Sequence, residues 1–231
     1  MQNVKSNPGS READTSSLAA TRLTKKLLAC GMAAGPFYLV VGLTQALTRP
    51  GFDITRHSLS LLSNGPLGWI QIANLAITGL LVIASAVGLR RALADGRGKI
   101  WGPLLIGVFG LGLFAAAFFI ADPAMGFPPG TSVDNLIVSW HGIMHLVTSS
   151  IGFLAFIIAC FVFARRFSSQ QQRGRAVYSV ITGVVFLLSF MGIASGSGQS
   201  WTILGFWVGL VLVWAWLLAL CARLIGELSS S

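Results

Sequence analysis

Two of the three histidines in this chain, His141 and His145, stand four residues apart in Trp140-His141-Gly142-Ile143-Met144-His145, at the start of a long apolar segment. That spacing predicts both imidazoles on one helical face. The third, His57, lies in Asp53-Ile-Thr-Arg56-His57-Ser58-Leu-Ser60-Leu-Leu-Ser63-Asn64-Gly65, four residues after Asp53, so a carboxylate could orient its ring. With Asp122, the histidines offer three nitrogens and one oxygen, a donor set suited to zinc or a similar divalent ion. Water on such an ion becomes acidic enough to ionise near neutral pH and could attack a lipid ester or amide. Asp53 or Asp134 would be the base, and Ser58 and Ser60 are the hydroxyl candidates. The plainer alternative is structural. Histidines near the interface can bond loop carbonyls, and Asp122 can cap a helix or pair with Arg56. The glutamate of the HExxH zinc motif is absent, so the histidine pair carries the metal reading without that support.

The elements that must position these groups follow from composition. Of 231 residues, 54% are hydrophobic and 10% charged, against roughly 25% charged in soluble domains. This is the composition of a polytopic membrane protein. The formal charge of +9 does not point to nucleic acid, because the basic residues form short clusters between apolar runs instead of one basic face with interleaved aromatics.

Six apolar runs, each near the roughly 20 residues needed to cross a bilayer, are expected at about 27–47, 69–89, 101–121, 139–164, 176–195 and 202–224. The fold class is therefore all-α, a bundle of six transmembrane helices. Residues 1–26, polar and without apolar periodicity, read as a disordered cytoplasmic tail, and 225–231 as a short second one. Lysine and arginine collect on the cytoplasmic side of short loops. The first tail, the second and fourth loops and Arg223 hold 14 of the 16 basic residues; only Arg49 and Arg56 lie at the other end. This predicts both termini inside, in an inner membrane, and all three histidines outside.

The outer loops are then 47–68, 122–138 and the turn 196–201. The first reads as a short surface helix ended by Asn64-Gly65. The second, broken by Pro123, Gly126, Pro128, Pro129 and Gly130, is expected to fold back over the bundle mouth. Gly31-xxx-Gly35, Gly192-xxx-Gly196 and Gly205-xxx-Gly209 are expected helix contacts. Trp69, Trp101, Trp140 and Trp201 suit the membrane interface. Cys30, Cys160 and Cys221 read as reduced structural residues. Gln45, Gln71, Asn74, Thr78, Ser149, Ser150, Tyr178, Ser179 and Thr182 could line a pathway or bond between helices. No span carries a charge at its middle, which argues against an ion-coupled transporter.

Phe52-Asp53, His57-Ser58-Leu59-Ser60-Leu61-Leu62, Gly68-Trp69-Ile70-Gln71, Asn74, Phe119 to Asp122, Gly142, His145 and Tyr178-Ser179 occur in an order that resembles domain-of-unknown-function family 998. This is a group of bacterial and archaeal membrane proteins distantly like Frag/DRAM-type proteins. The resemblance spans about 27–224. It implies a six-span bundle of uncharacterised activity, with recurrent polar positions matching Ser60, Asp122 and His145. The functional expectation is an outward-facing His/Asp/Ser cluster in the lipid bilayer that recognises a lipid head group or small ligand. A metal-dependent membrane hydrolase is the alternative, and a small-solute transporter a weaker one.

Overall fold

The computed structural model describes residues 8–93, 95–133, 138–195 and 199–230, with side chains from 16 onward. Six helices account for most of it: α1 (Pro8–Thr48), α2 (Gly68–Ala92), α3 (Trp101–Phe118), α4 (Trp140–Ser169), α5 (Arg173–Ala194) and α6 (Ser200–Ser230), with a 3-10 turn at Leu59–Ser63. All six contain stretches long and apolar enough to cross a membrane. The fold is all-helical, and no strand is formed among the described residues.

Helix α1 starts well before the span expected at 27, so the part of the tail within 8–26 continues the span as helix. Helix propagation adds one hydrogen bond per residue once a nucleus exists, and the long span supplies that nucleus. The extension is also held sideways, because Arg91 donates from Nε to Thr24 Oγ1 (3.0 Å). Helix α3 stops at Phe118, earlier than expected, and Phe119 after it is extended.

Each helix packs on its neighbour in sequence, and α6 closes back onto α1. The result is a ring of six, with the described parts of loop 93–100 and the turn 170–172, flanked by Arg165, Arg166, Arg173 and Arg175, at one end and 49–67 with the described parts of 119–139 at the other. Inside and outside are both apolar, so the usual stripe of one hydrophobic face does not mark the packed side. What marks the interior is polarity and small size. Gln71, Thr78, Ser85, Ser179 and Thr182 are fully buried, while Val40, Leu47, Leu104 and Leu188 are more than half exposed on the flank, where lipid would cover them. Gln45 donates to Gln71 Oε1 (3.0 Å), Asn74 donates to the same oxygen (3.1 Å) and to Tyr38 O (3.2 Å), and Trp216 donates to Ser179 Oγ (2.9 Å). All but the bond between Asn74 and Gln71, which lies within α2, join different helices, and lipid cannot replace them.

Trp69, Trp101, Trp140 and Trp201 each stand in the first two residues of a helix and are 60–70% exposed, as interfacial anchors should be. The glycine expectations divide. Gly31 and Gly35 do face Ser85, Cys221 and Trp214, and Gly209 faces Ser189 and Phe186, but Gly205 meets nothing and Gly192 only ordinary contacts. Gly196 lies outside the described residues. The tightest crossing joins Gly79 of α2 and Gly110 of α3, where a Cβ on either glycine would come within 3 Å of the other's carbonyl oxygen. The three cysteines are free thiols.

Candidate functional site

At the end away from the basic clusters, 49–67 and 119–133 fold together into a cap. Phe127 is its centre, with no solvent exposure. Phe52 meets it edge-on (5.2 Å), His57 lies against it (5.6 Å) and the Arg49 guanidinium sits 5.1 Å from its ring centroid. Arg49 donates through Nη1 to Leu62 O and through Nη2 to Asn64 O, bracing the end of the 3-10 turn. Burial pushes its pKa below the usual arginine value, although guanidinium keeps its charge in proteins. Asn64 donates to Ala121 O (2.9 Å), tying the two loops again.

His57 is a brace in this cap. Its Nδ1 accepts from the Asp53 backbone N–H (2.9 Å), which fixes the proton on Nε2, and Nε2 donates to Met125 O (3.0 Å). Both ring nitrogens are engaged. The Asp53 carboxylate does not orient the ring, as its spacing had suggested, but accepts from Thr55 N and Oγ1 (2.8 and 2.7 Å). Those bonds hold its carboxyl below the ordinary carboxylate range. The stretch expected as a surface helix is the 3-10 turn, and it is buried. With i and i+3 eclipsed, Leu59 and Leu62 share one side, and both are packed inside.

Asp122 starts helix α4. Its carboxylate accepts from the backbone N–H and the hydroxyl of Ser139, and the Ser139 hydroxyl accepts from Gly142 N (3.0 Å) as an N-cap. A Cβ at Gly142 would overlap that carboxylate. Asp122 does not pair with Arg56; the described ion pairs, Lys99–Asp95 and Arg223–Glu227, lie at the opposite end.

The histidine pair on α4 separates. His145 is buried and donates from Nδ1 to Phe119 O (2.7 Å), a carbonyl freed where α3 has ended. His141 is exposed beside Trp140 (4.5 Å between rings). Four residues turn a helix by about 40° beyond a full revolution and advance it about 6 Å, enough to carry His141 off the packed face. Among the described residues no three His, Cys, Asp or Glu side chains gather as a metal-binding group. The set His57, Asp122, His141 and His145 is thus not brought together, since His57 and Asp122 serve the cap and the helix start. Asp134 lies outside the described residues.

What the cap does cover is a cavity of about 410 Å³ in the ring. All six helices and the 3-10 turn line it. Ser58, Ser60, His145, Ser149 and Ser150 give its polar wall, and the Ser58 and Ser60 hydroxyls bond each other (3.0 Å). Leu113, Phe153, Phe190 and Phe206 give apolar walls. Leu146 and Ala194 line the cavity and are also exposed on the outside of the ring, so the cavity reaches the flank between α4 and α5. Nearer the other end those helices are close, with Gly183 against Cys160 and Phe161. A smaller pocket of about 130 Å³ shares Ser58 and Ile193 with the cavity and carries Arg56. Ser149 and Ser150 have no sequence pattern of their own; their signal was only polarity within an apolar span.

A ring of six apolar helices around a capped, partly polar cavity defines a multi-pass integral membrane protein. The chain belongs to the family described as "Protein of unknown function (DUF998)", which matches residues 32–223. No curated protein and no solved structure matches it.

Proposed function

We propose that this protein binds an amphiphile at the end of the ring away from the basic loops, drawing its polar head into the cavity beneath the cap. The observation that carries this reading is the side opening between α4 and α5, where Leu146 and Ala194 belong to both the cavity wall and the flank. A polar solute would need no such door. An amphiphile does, because its tail can stay in lipid while its head meets hydroxyls and an imidazole. With Nδ1 of His145 donating to Phe119 O, the neutral ring keeps Nε2 as an acceptor. The four serines both donate and accept, Arg56 adds one positive charge beside Ser58, and no acidic residue lines the cavity among the described residues. This suits a neutral or anionic head group.

The cavity is deep. Ser150 lies ten residues into α4, about 15 Å, near the middle of a hydrocarbon layer about 30 Å thick. Below it Phe109, Phe156, Phe186 and Trp214 are buried and in ring contact. This aromatic floor supports capture over passage.

The expected result concerns what copurifies. Mass spectrometry of lipid retained by the wild-type chain in mild detergent should show an enriched amphiphile. His145→Ala with Ser60→Ala should reduce it about tenfold, as the loss of one or two hydrogen bonds worth about 1.4 kcal/mol together would do. Leu146→Trp, which narrows the side opening without removing a polar group, should reduce it as well. An unchanged profile in both variants overturns the reading.

The positive-inside pattern supports a cytoplasmic basic end, with both termini inside, in an inner membrane. A reporter fused after Gly130 should then behave as external. Cytoplasmic activity from that fusion would invert the arrangement and put the cavity on the inner side.

A further inference from the structure

At the basic end a second feature faces outward from the ring. Helices α2 and α3, which touch backbone to backbone at Gly79 and Gly110, leave a groove of about 570 Å³ toward that end. Its floor is small: a Cβ at Gly107 would meet only Ala86, at 3.6 Å. Its walls are aliphatic, including Ile83, Leu104 and Leu111, and at its mouth stand Arg90 and Arg91.

We propose that this groove is a specific site for one anionic phospholipid, with an acyl chain along the groove and the phosphate on Arg90. Three observations agree. The groove runs from Ile100 to Leu111, eleven residues or about 16 Å, which is the depth of one leaflet in a hydrocarbon layer about 30 Å thick. Trp101, 64% exposed beside Ile100, sets the mouth at the head-group level. Arg90 is exposed and makes no hydrogen bond or ion pair among the described residues, whereas Arg91 beside it is committed to Thr24 and Ala20. A guanidinium free at phosphate depth above an apolar groove matches a lipid anion in charge and in reach.

A second copy of the chain fits the same groove poorly. Copies inserted in the same direction would bring two basic ends to one level, and like charges facing across an interface are repulsive. This site is at the other end of the ring from the capped cavity and does not depend on the reading given for it.

Native mass spectrometry of the full chain in detergent, titrated with phosphatidylglycerol or phosphatidylcholine, tests the assignment. The wild type should hold one phosphatidylglycerol more tightly than phosphatidylcholine. Arg90→Ala should weaken phosphatidylglycerol about fivefold, the worth of one basic residue at a membrane surface, and phosphatidylcholine by less, because its choline cation offsets the phosphate charge. Arg90→Lys should recover most of that loss. Arg165→Ala, which removes another exposed arginine of the same end, should change neither lipid. Gly107→Leu, which fills the groove and keeps every charge, should weaken both. Equal binding of the two lipids by the wild type overturns the proposal. So does an Arg165→Ala loss as large as that of Arg90→Ala, which would mean diffuse attraction. Unchanged phosphatidylglycerol binding in Gly107→Leu would place the lipid elsewhere, and a wild-type dimer that this substitution dissociates would give the groove to a second copy.

Discussion

Arg49→Ala is expected to destabilise the protein by about 3–5 kcal/mol, the larger part coming from two charge-assisted hydrogen bonds worth about 1.5–3 kcal/mol each. Arg49 is 9% exposed, and its guanidinium bonds Leu62 O and Asn64 O and sits near the Phe127 ring. Truncation leaves both carbonyls without their donor and removes a cation from an aromatic face, a contact worth about 1–2 kcal/mol when partly desolvated. Water entering the vacated space offsets some of this, which keeps the total below the simple sum. Arg49→Lys should recover less than half, since one ammonium cannot reproduce the fork that reaches two carbonyls. The measurement is the unfolding midpoint in a fixed detergent, by heat or by added denaturing detergent. A loss under 1 kcal/mol would mean that Arg49 does not hold the cap.

Gly110→Ala should cost about 3 kcal/mol or more, a large effect for one methyl group. Overpacking costs about 1–3 kcal/mol where side chains can shift. Here the methyl would meet Gly79 O and Ile83 N, both at 2.9 Å, and backbone inside a helix cannot step aside without moving the whole element. Gly79→Ala meets Gly110 O and Phe114 N at 2.7 Å and should behave alike. The contrast is Gly205→Ala, where nothing lies within 4 Å of the new atom; it should gain slightly from alanine's better helix propensity. If all three variants unfold at the same midpoint, the α2–α3 crossing is not as close as described.

The ring itself was largely readable from residues 27–224, because hydrocarbon thickness imposes a length on apolar segments and tryptophans mark their ends. Its inner face was harder to read. When lipid and protein interior are both apolar, helical periodicity carries little information, and only residues such as Gln71, Asn74 and Thr78, costly to leave in lipid, point inward. The glycine pairs spaced by four were partly misleading, because Gly205 has the motif and no neighbour while Gly79 and Gly110 contact each other from different helices with no shared motif. The candidate site shows the same limit. His145 and Ser60 were legible as polar groups that line one cavity with Ser58. His57 was not legible as a brace, since its partners are the Asp53 backbone and the Met125 carbonyl, and backbone atoms leave no trace in residue identity. The separation of His141 from His145 needed the packing of α4 against α3, which sequence spacing does not carry.

The cap also divides the molecule mechanically. Its described bonds join the loop between α1 and α2 to the loop between α3 and α4, so four helices share one clamp. Among the described residues, helices α5 and α6 enter no such bond at that end; toward them the cap presents the small pocket beside Ile193, Thr202 and Ile203. The cap thus ties four helices of the ring at that end, while α5 and α6 are held by packing alone, α5 on α4 at Gly183 and α6 on α1 at Gly31 and Gly35. The side opening between α4 and α5 lies at the border of that clamp, between a helix the cap ties down and one that it leaves to side-chain packing.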